Sequence, residues 1–242
     1  MIGHTEYDFD TPSGQWSQRE YTSALLSRLA IANSTVFKSL ELSSAVKLGR
    51  VDFPTGTTLH RLCIAGAKDS TISHEVFTTL LAQLQLPTAP PVLFALDNLN
   101  QVSLPSAYRD PNFNVIHAHD LALPVAFLGF LNGSREFARG ALILAATSSA
   151  APRTEALEYA LKKKALPPYS KLDPRIAGSI EGAGILKVGA LEKEEAKGLL
   201  EYCRNSGLLR EPSLNEEQIA QKYALSSGIA KEIVAGCVRL RA

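Results

Sequence analysis

Two short stretches of this chain are apolar at every position, and each ends on a polar residue. Val92-Leu93-Phe94-Ala95-Leu96 follows Pro90-Pro91 and stops at Asp97; Ala141-Leu142-Ile143-Leu144-Ala145-Ala146 stops at Thr147-Ser148-Ser149. Runs this short with no polar alternation predict strands buried on both faces, as in a parallel sheet covered by helices. Between them, Asp120 precedes an apolar stretch from Leu121 to Leu131 that closes at Asn132-Gly133 and reads as a helix. Strand, helix, strand predicts a doubly wound α/β layer structure. A third strand, shorter, is expected at Ile185-Leu186-Lys187-Val188.

Helices are expected on either side of this unit. Ser17-Gln18-Arg19-Glu20 fits a capping box, and behind it Tyr21, Leu25, Leu29 and Ala32 recur at helical spacing. A further helical stretch covers Val36 to Leu42, and residues 49–57 read as a loop. Leu59, Leu62 and Cys63 predict a short helix stopped at Gly66; Val76 to Leu84 predicts a longer one. After Gly189 the strand signal ends. A helix over Glu192 to Asn205, with Gly207 placed for its C-cap, is followed by a second opened by Ser213-Leu214-Asn215-Glu216. A third covers residues 229–240. The expected division is therefore an α/β core over residues 1–189 and a helical subdomain over 190–242.

Charge and cysteine content narrow the function classes. Twenty-five Lys and Arg against 24 Asp and Glu give a net charge of +1 in 242 residues, which supplies no general pull toward nucleic acid or anionic membrane. Cys63, Cys203 and Cys237 are too far apart for a metal or redox pair and read as buried thiols. The longest apolar run, Leu121 to Leu131, is broken by Pro124 and Gly129 and falls short of the ~18 residues of a membrane span. The first ten residues carry Glu6, Asp8 and Asp10, unlike a secretory signal or a mitochondrial presequence.

Asp97 is the first candidate site residue. The carboxyl ends of strands in open α/β sheets are where ligands bind, and an apolar strand ending in Asp has the form of a Walker B element, whose carboxylate holds Mg²⁺ through water. Thr147, ending the second run, would lie beside it within reach of a γ-phosphate. No G-x-x-x-x-G-K-[ST] loop occurs in the sequence. Gly66-Ala67-Lys68-Asp69-Ser70-Thr71 lacks its order and reads instead as the end of one helix and the start of another. Without the loop's backbone donors and lysine, tight nucleoside triphosphate binding by this polypeptide is not expected. His117-Ala118-His119-Asp120 lacks a third ligand cluster, so Asp120 is read as a helix cap rather than part of a metal site. Lys162-Lys163-Lys164 reads as a solvated helix end, with a local phosphate or acidic-protein contact as the alternative.

Several blocks taken together resemble the death-associated protein 3 family, the P-loop protein of the mitochondrial small ribosomal subunit, and its fungal members most. They are Val92 to Leu99, Ile116-His117-Ala118-His119-Asp120-Leu121-Ala122-Leu123, Leu144 to Ser149, Pro168 to Arg175, and Leu191 to Leu200. The resemblance implies a structural ribosomal protein in the mitochondrial matrix, with an AAA-type P-loop NTPase core and a helical lid. Its partners would be other small-subunit ribosomal proteins, with local rRNA contact and no membrane. Family members carry a presequence and a Walker A loop before the matched region, so the chain is expected to be an N-terminally truncated member lacking its Walker A strand. By the same resemblance Asp97 is the Walker B aspartate, holding Mg²⁺ through water, and Thr147 the sensor-like residue. Asn98 stands where hydrolytic relatives place a Glu base, and an amide cannot take a proton near neutral pH. Arg175, in the same block as Asp173, pairs locally with it or reaches a phosphate. No cofactor is expected for this chain; GTP or ATP with Mg²⁺ is expected for a full-length form, and a nucleotide-dependent switch NTPase is the alternative function.

Overall fold

The computed structural model describes residues 7–10, 14–147, 152, 154–162, 169, 172–209 and 213–238. They form a mixed α/β protein that divides into two compact units, Met1–Gly184 and Ile185–Ala242.

The first unit opens with an antiparallel pair, β1 (Tyr7–Asp10) and β2 (Gln15–Gln18), followed directly by α1 (Arg19–Ala32) and α2 (Ser34–Ser39). The capping box expected at Ser17 does not form, because Ser17 is paired within β2 and the helix starts at Arg19 after an uncapped Gln18. The buried stripe of α1 is Thr22, Leu26 and Ala30, while Tyr21 is exposed and Leu25 and Leu29 are half-buried. Sequence periodicity located the helix one residue out of phase. Residues 49–57 are not all loop: β3 (Val46–Leu48) and β4 (Val51–Phe53) make a tight hairpin across Gly49, which takes φ +56°.

Helices α3 (Leu59–Lys68) and α4 (Ser73–Leu84) pack on α1 around Leu26, Leu62, Cys63, Val76 and Leu80. Gly66 does not stop α3. It lies inside the helix, buried, where a Cβ would stand 2.7 Å from Leu26 Cδ1 and 2.9 Å from Val76 Cβ. The glycine is a close-approach residue that lets three helices meet. The helix ends two residues later at Lys68. Asp69 Oδ1 then accepts from the Thr71 backbone N–H at 3.0 Å and its hydroxyl at 2.6 Å, turning the chain into α4.

Next come β5 (Val92–Leu96), the short α5 (Leu99–Val102), the antiparallel pair β6 (Pro105–Arg109) and β7 (Val115–His117), a 3-10 turn at Ala118–Asp120, α6 (Ala122–Leu131) and β8 (Ala141–Ala145). β5 and β8 pair in parallel, Val92 opposite Ala141 through Leu96 opposite Ala145. The expected strands and their crossover helix are present, but burial on both faces is not. Phe94 meets Phe127 edge-on at 4.9 Å and Phe130 at 5.9 Å, and Val92, Leu96, Ile143 and Ala145 pack on the same side. On the opposite face Leu93, Leu142 and Leu144 are 67%, 58% and 47% exposed. Among the described residues, helices cover one side of this pair only. α7 (Glu155–Leu161) and α8 (Pro174–Gly178) complete the unit; Lys162 pairs with Glu158 at 2.7 Å, and Lys163 and Lys164 lie outside the described residues.

The second unit is three helices, α9 (Lys193–Asn205), α10 (Glu216–Ser226) and α11 (Ala230–Val238), around Ala196, Leu200, Cys203, Ile219 and Ile233. Gly207 takes φ +78° and the Leu208 N–H donates to the Cys203 carbonyl at 2.9 Å, a Schellman closure of α9. The capping box of α10 is Asn215 with Gln218, not Ser213 with Glu216. Ile185–Val188 is not a strand; Ile185, Leu186 and Val188 are exposed and unpaired by any ladder. All three cysteines are buried and in no disulfide, and burial pushes the Cys63 thiol up to about 12.

Candidate functional site

Asp97 and Thr147 end adjacent parallel strands. The ladder continues one residue past the strands: Ala146 N–H donates to the Leu96 carbonyl at 2.9 Å, and Leu99 N–H donates to the Ala146 carbonyl at 2.8 Å. That holds the carboxyl ends of β5 and β8 level, so Asp97 and Thr147 leave the same end of the pair, with Ala146 as the residue opposite Asp97 and Thr147 one position beyond it. Asp97 is exposed, and its Oδ1 accepts from the Asn98 N–H at 2.8 Å. Its other oxygen makes no hydrogen bond among the described residues. One solvated carboxylate suits a hydrated Mg²⁺ that takes its remaining ligands from water and phosphate; no group of three or more ligating His, Cys, Asp or Glu occurs among the described residues.

Asn98 has a conformational task of its own. It sits at φ 58°, ψ 49°, the left-handed region, and turns the chain out of β5 into α5. Asn tolerates this region well, whereas a Glu would be strained there. The absence of a carboxylate base at position 98 therefore has a backbone reason as well as a chemical consequence.

A second polar cluster is assembled from distant segments. Asp120 Oδ2 accepts from the His117 N–H at 3.2 Å while His117 Nδ1 accepts from the His119 N–H at 3.1 Å, a reciprocal capping box around the 3-10 turn. Asp120 thus caps, as expected, but does so from inside that turn rather than at the start of α6. Its Oδ1 receives Arg175 Nη1 at 2.6 Å. Arg175 also grips Asp173, Nε to Oδ2 at 3.0 Å and Nη2 to Oδ2 at 2.7 Å. The local pair is formed, and a second carboxylate from 55 residues away is added to it. The guanidinium hydrogen bond to Asp173 holds that carboxyl below the usual range. Burial, reinforced by His117 and Arg175, pushes His119 down to about 4, so the imidazole is neutral at physiological pH.

Both places rest on one apolar cluster. Leu99 and Val102 of α5, Ala118 of the 3-10 turn, Leu157 of α7 and Ile176 of α8 pack together, and the Thr154 hydroxyl donates to Ser103 Oγ at 3.1 Å. The Asp120–Arg175 bridge was missed by sequence reasoning. The only available signal was two uncommon polar blocks of opposite charge, and nothing in their separation says that they meet.

Known proteins resemble this chain over nearly its whole length. A family model described as mitochondrial ribosomal death-associated protein 3 matches residues 1–235. The small ribosomal subunit protein mS29 of Neurospora crassa is 34% identical over 247 aligned positions, covering 95% of this chain and 52% of that protein. The protein of the same name from Schizosaccharomyces pombe is 25% identical over 245 positions, covering 98% of this chain and 50% of its own length. The chain spans about half the length of the curated relatives it matches. With the family match running through nearly the whole sequence, the chain belongs to the mitochondrial ribosomal death-associated protein 3 family.

Proposed function

We propose that this chain is a structural, non-enzymatic component of the mitochondrial small ribosomal subunit and supports mitochondrial translation. The observation that carries the reading is the family match together with two relatives both named small ribosomal subunit protein mS29. The net charge of +1 supports attachment mainly through neighbouring ribosomal proteins, with local rather than enveloping contact to small-subunit rRNA. Among the described residues no helix is long and apolar enough to cross a membrane. The test is sedimentation of mitochondrial lysate from cells carrying a tagged copy, at moderate salt. Co-migration with the small subunit is expected; recovery only as free protein refutes the reading.

Within that role, residues 1–189 form a partial P-loop NTPase-like core and residues 190–242 a helical lid. Asp97 would hold Mg²⁺ through water, with Thr147 beside it, in a form of the protein that carries a Walker A loop. Asn98 cannot act as general base, so bound GTP or ATP would serve structure rather than turnover. The chain by itself supplies no Walker A sequence and needs no cofactor in this reading.

The position of Asp97 and Thr147 at the carboxyl end of two adjacent parallel strands supports a second reading, a nucleotide-dependent switch. Hydrolysis assays on a form with a Walker A loop, with and without Asp97→Ala, separate the two. Turnover abolished by the substitution supports the switch; a rate unchanged by it refutes the switch.

A further inference from the structure

A cavity of about 410 Å³ opens between β2, α4 and α6. This is within the size range of ligand pockets, ~300–1,000 Å³. It is lined by His74, Phe77 and Leu81 of α4, Val125 and Ala126 of α6, and Arg135. Among the described residues no acidic side chain lines it.

Arg135 is held there by three contacts. Gly129 leaves room for its stem, since a Cβ on Gly129 would stand 2.9 Å from Arg135 Cδ. Its guanidinium carbon lies 4.8 Å from the centre of the Phe130 ring, and Nη2 donates to Gln85 Oε1 at 3.3 Å. Its backbone N–H donates to the Gly129 carbonyl at 2.8 Å, folding the loop back onto α6. Among the described residues no carboxylate pairs with it. A half-buried, pre-oriented guanidinium beside an apolar wall can take a planar anion in a bidentate hydrogen bond.

We propose that this cavity is a binding site for an apolar carboxylate, the carboxylate on Arg135 and the apolar body between α4 and α6. The same chemistry is offered by a free aromatic or branched-chain acid and by an acidic side chain next to a bulky apolar one in another polypeptide.

The test is NMR titration of the ¹⁵N-labelled 242-residue chain with three probes: 4-phenylbutyrate, its neutral analogue 4-phenylbutanol, and the peptide acetyl-Ser-Phe-Asp-Ser-amide. Saturable shifts of Phe77, Ala126 and Arg135 amides with phenylbutyrate support a free acid as occupant; the same shifts with the peptide alone support a polypeptide. In either case Arg135→Gln should weaken binding about tenfold, as should removing the charge from the probe. Ala126→Phe, which fills the cavity and leaves Arg135 in place, should abolish it. Binding of phenylbutanol as tight as the acid, indifference to both substitutions, or no saturable shift with either anion overturns the proposal.

Discussion

Replacing Gly66 with alanine should destabilise the first unit, although alanine is the better helix former. Gly66 lies within α3, where exchanging glycine for alanine ordinarily gains about 1 kcal/mol. Here the added Cβ would meet Leu26 Cδ1 at 2.7 Å and Val76 Cβ and Cγ1 at 2.9 Å, and both partners are fully buried. The Leu26 methyl can swing aside, but Val76 Cβ is fixed to its own helix, so α3 and α4 must move apart. Overpacking of this kind costs about 1–3 kcal/mol; set against the propensity gain, a net loss of up to about 2 kcal/mol remains. The assay is urea unfolding followed by fluorescence of Trp16, which lies in this unit, with hydrogen exchange of α3 amides as a second readout. Gly198→Ala is the control, because Gly198 is also inside a helix but nothing lies within 4 Å of its added Cβ. It should raise protection of α9 by up to about 1 kcal/mol. Equal or increased stability for Gly66→Ala would refute the close-approach argument and return Gly66 to an ordinary helix position.

Three further outcomes are expected. Phe94→Ala should cost about 3–5 kcal/mol and Leu93→Ala less than about 1, despite their adjacency, as measured by urea midpoints; equal losses would contradict one-sided packing of β5. The Asp173 carboxyl, held low by Arg175, contributes stability that is present above its unfolded pKa and lost as pH falls through the lower folded value. Arg175→Gln should raise the Asp173 titration seen by ¹³C NMR, and an unchanged midpoint would remove the pair as its cause. His119 titrates near 4 in the folded protein against 6.5 for the free side chain. Between those values the unfolded chain binds a proton that the native one refuses, so stability should fall as pH drops from 6.5 toward 4. His119→Asn should flatten that slope, and a slope unaltered by the substitution would place its origin elsewhere.

How far the sequence could be read depended on the range of the interactions involved. The two apolar runs, their parallel pairing and the crossover helix were legible because apolar content and chain direction are local properties. So was the Asp173–Arg175 pair, two residues apart. The Asp120–Arg175 bridge was not, since it depends on α8 packing against the 3-10 turn across 55 residues. The phase of α1 was misread for a similar reason. Tyr21, Leu25, Leu29 and Ala32 make a good helical stripe, but α3 and α4 approach along Thr22, Leu26 and Ala30. Gly66 carries the same letter whether it ends a helix or lets three helices touch.

The sequence alone determined the α/β class, the polar residues that end each buried-type strand, the three-helix composition of the second unit and membership of the family, because each of these is written in residue type and spacing. Tertiary structure decided which sheet face is covered, which carboxylates Arg175 holds, and that Asn98 must turn left-handed to leave β5. It also decided that Arg135 stands at an apolar cavity with no carboxylate paired to it among the described residues. Burial and charge pairing are relations between segments, and a chain acquires them only when its elements are set against one another.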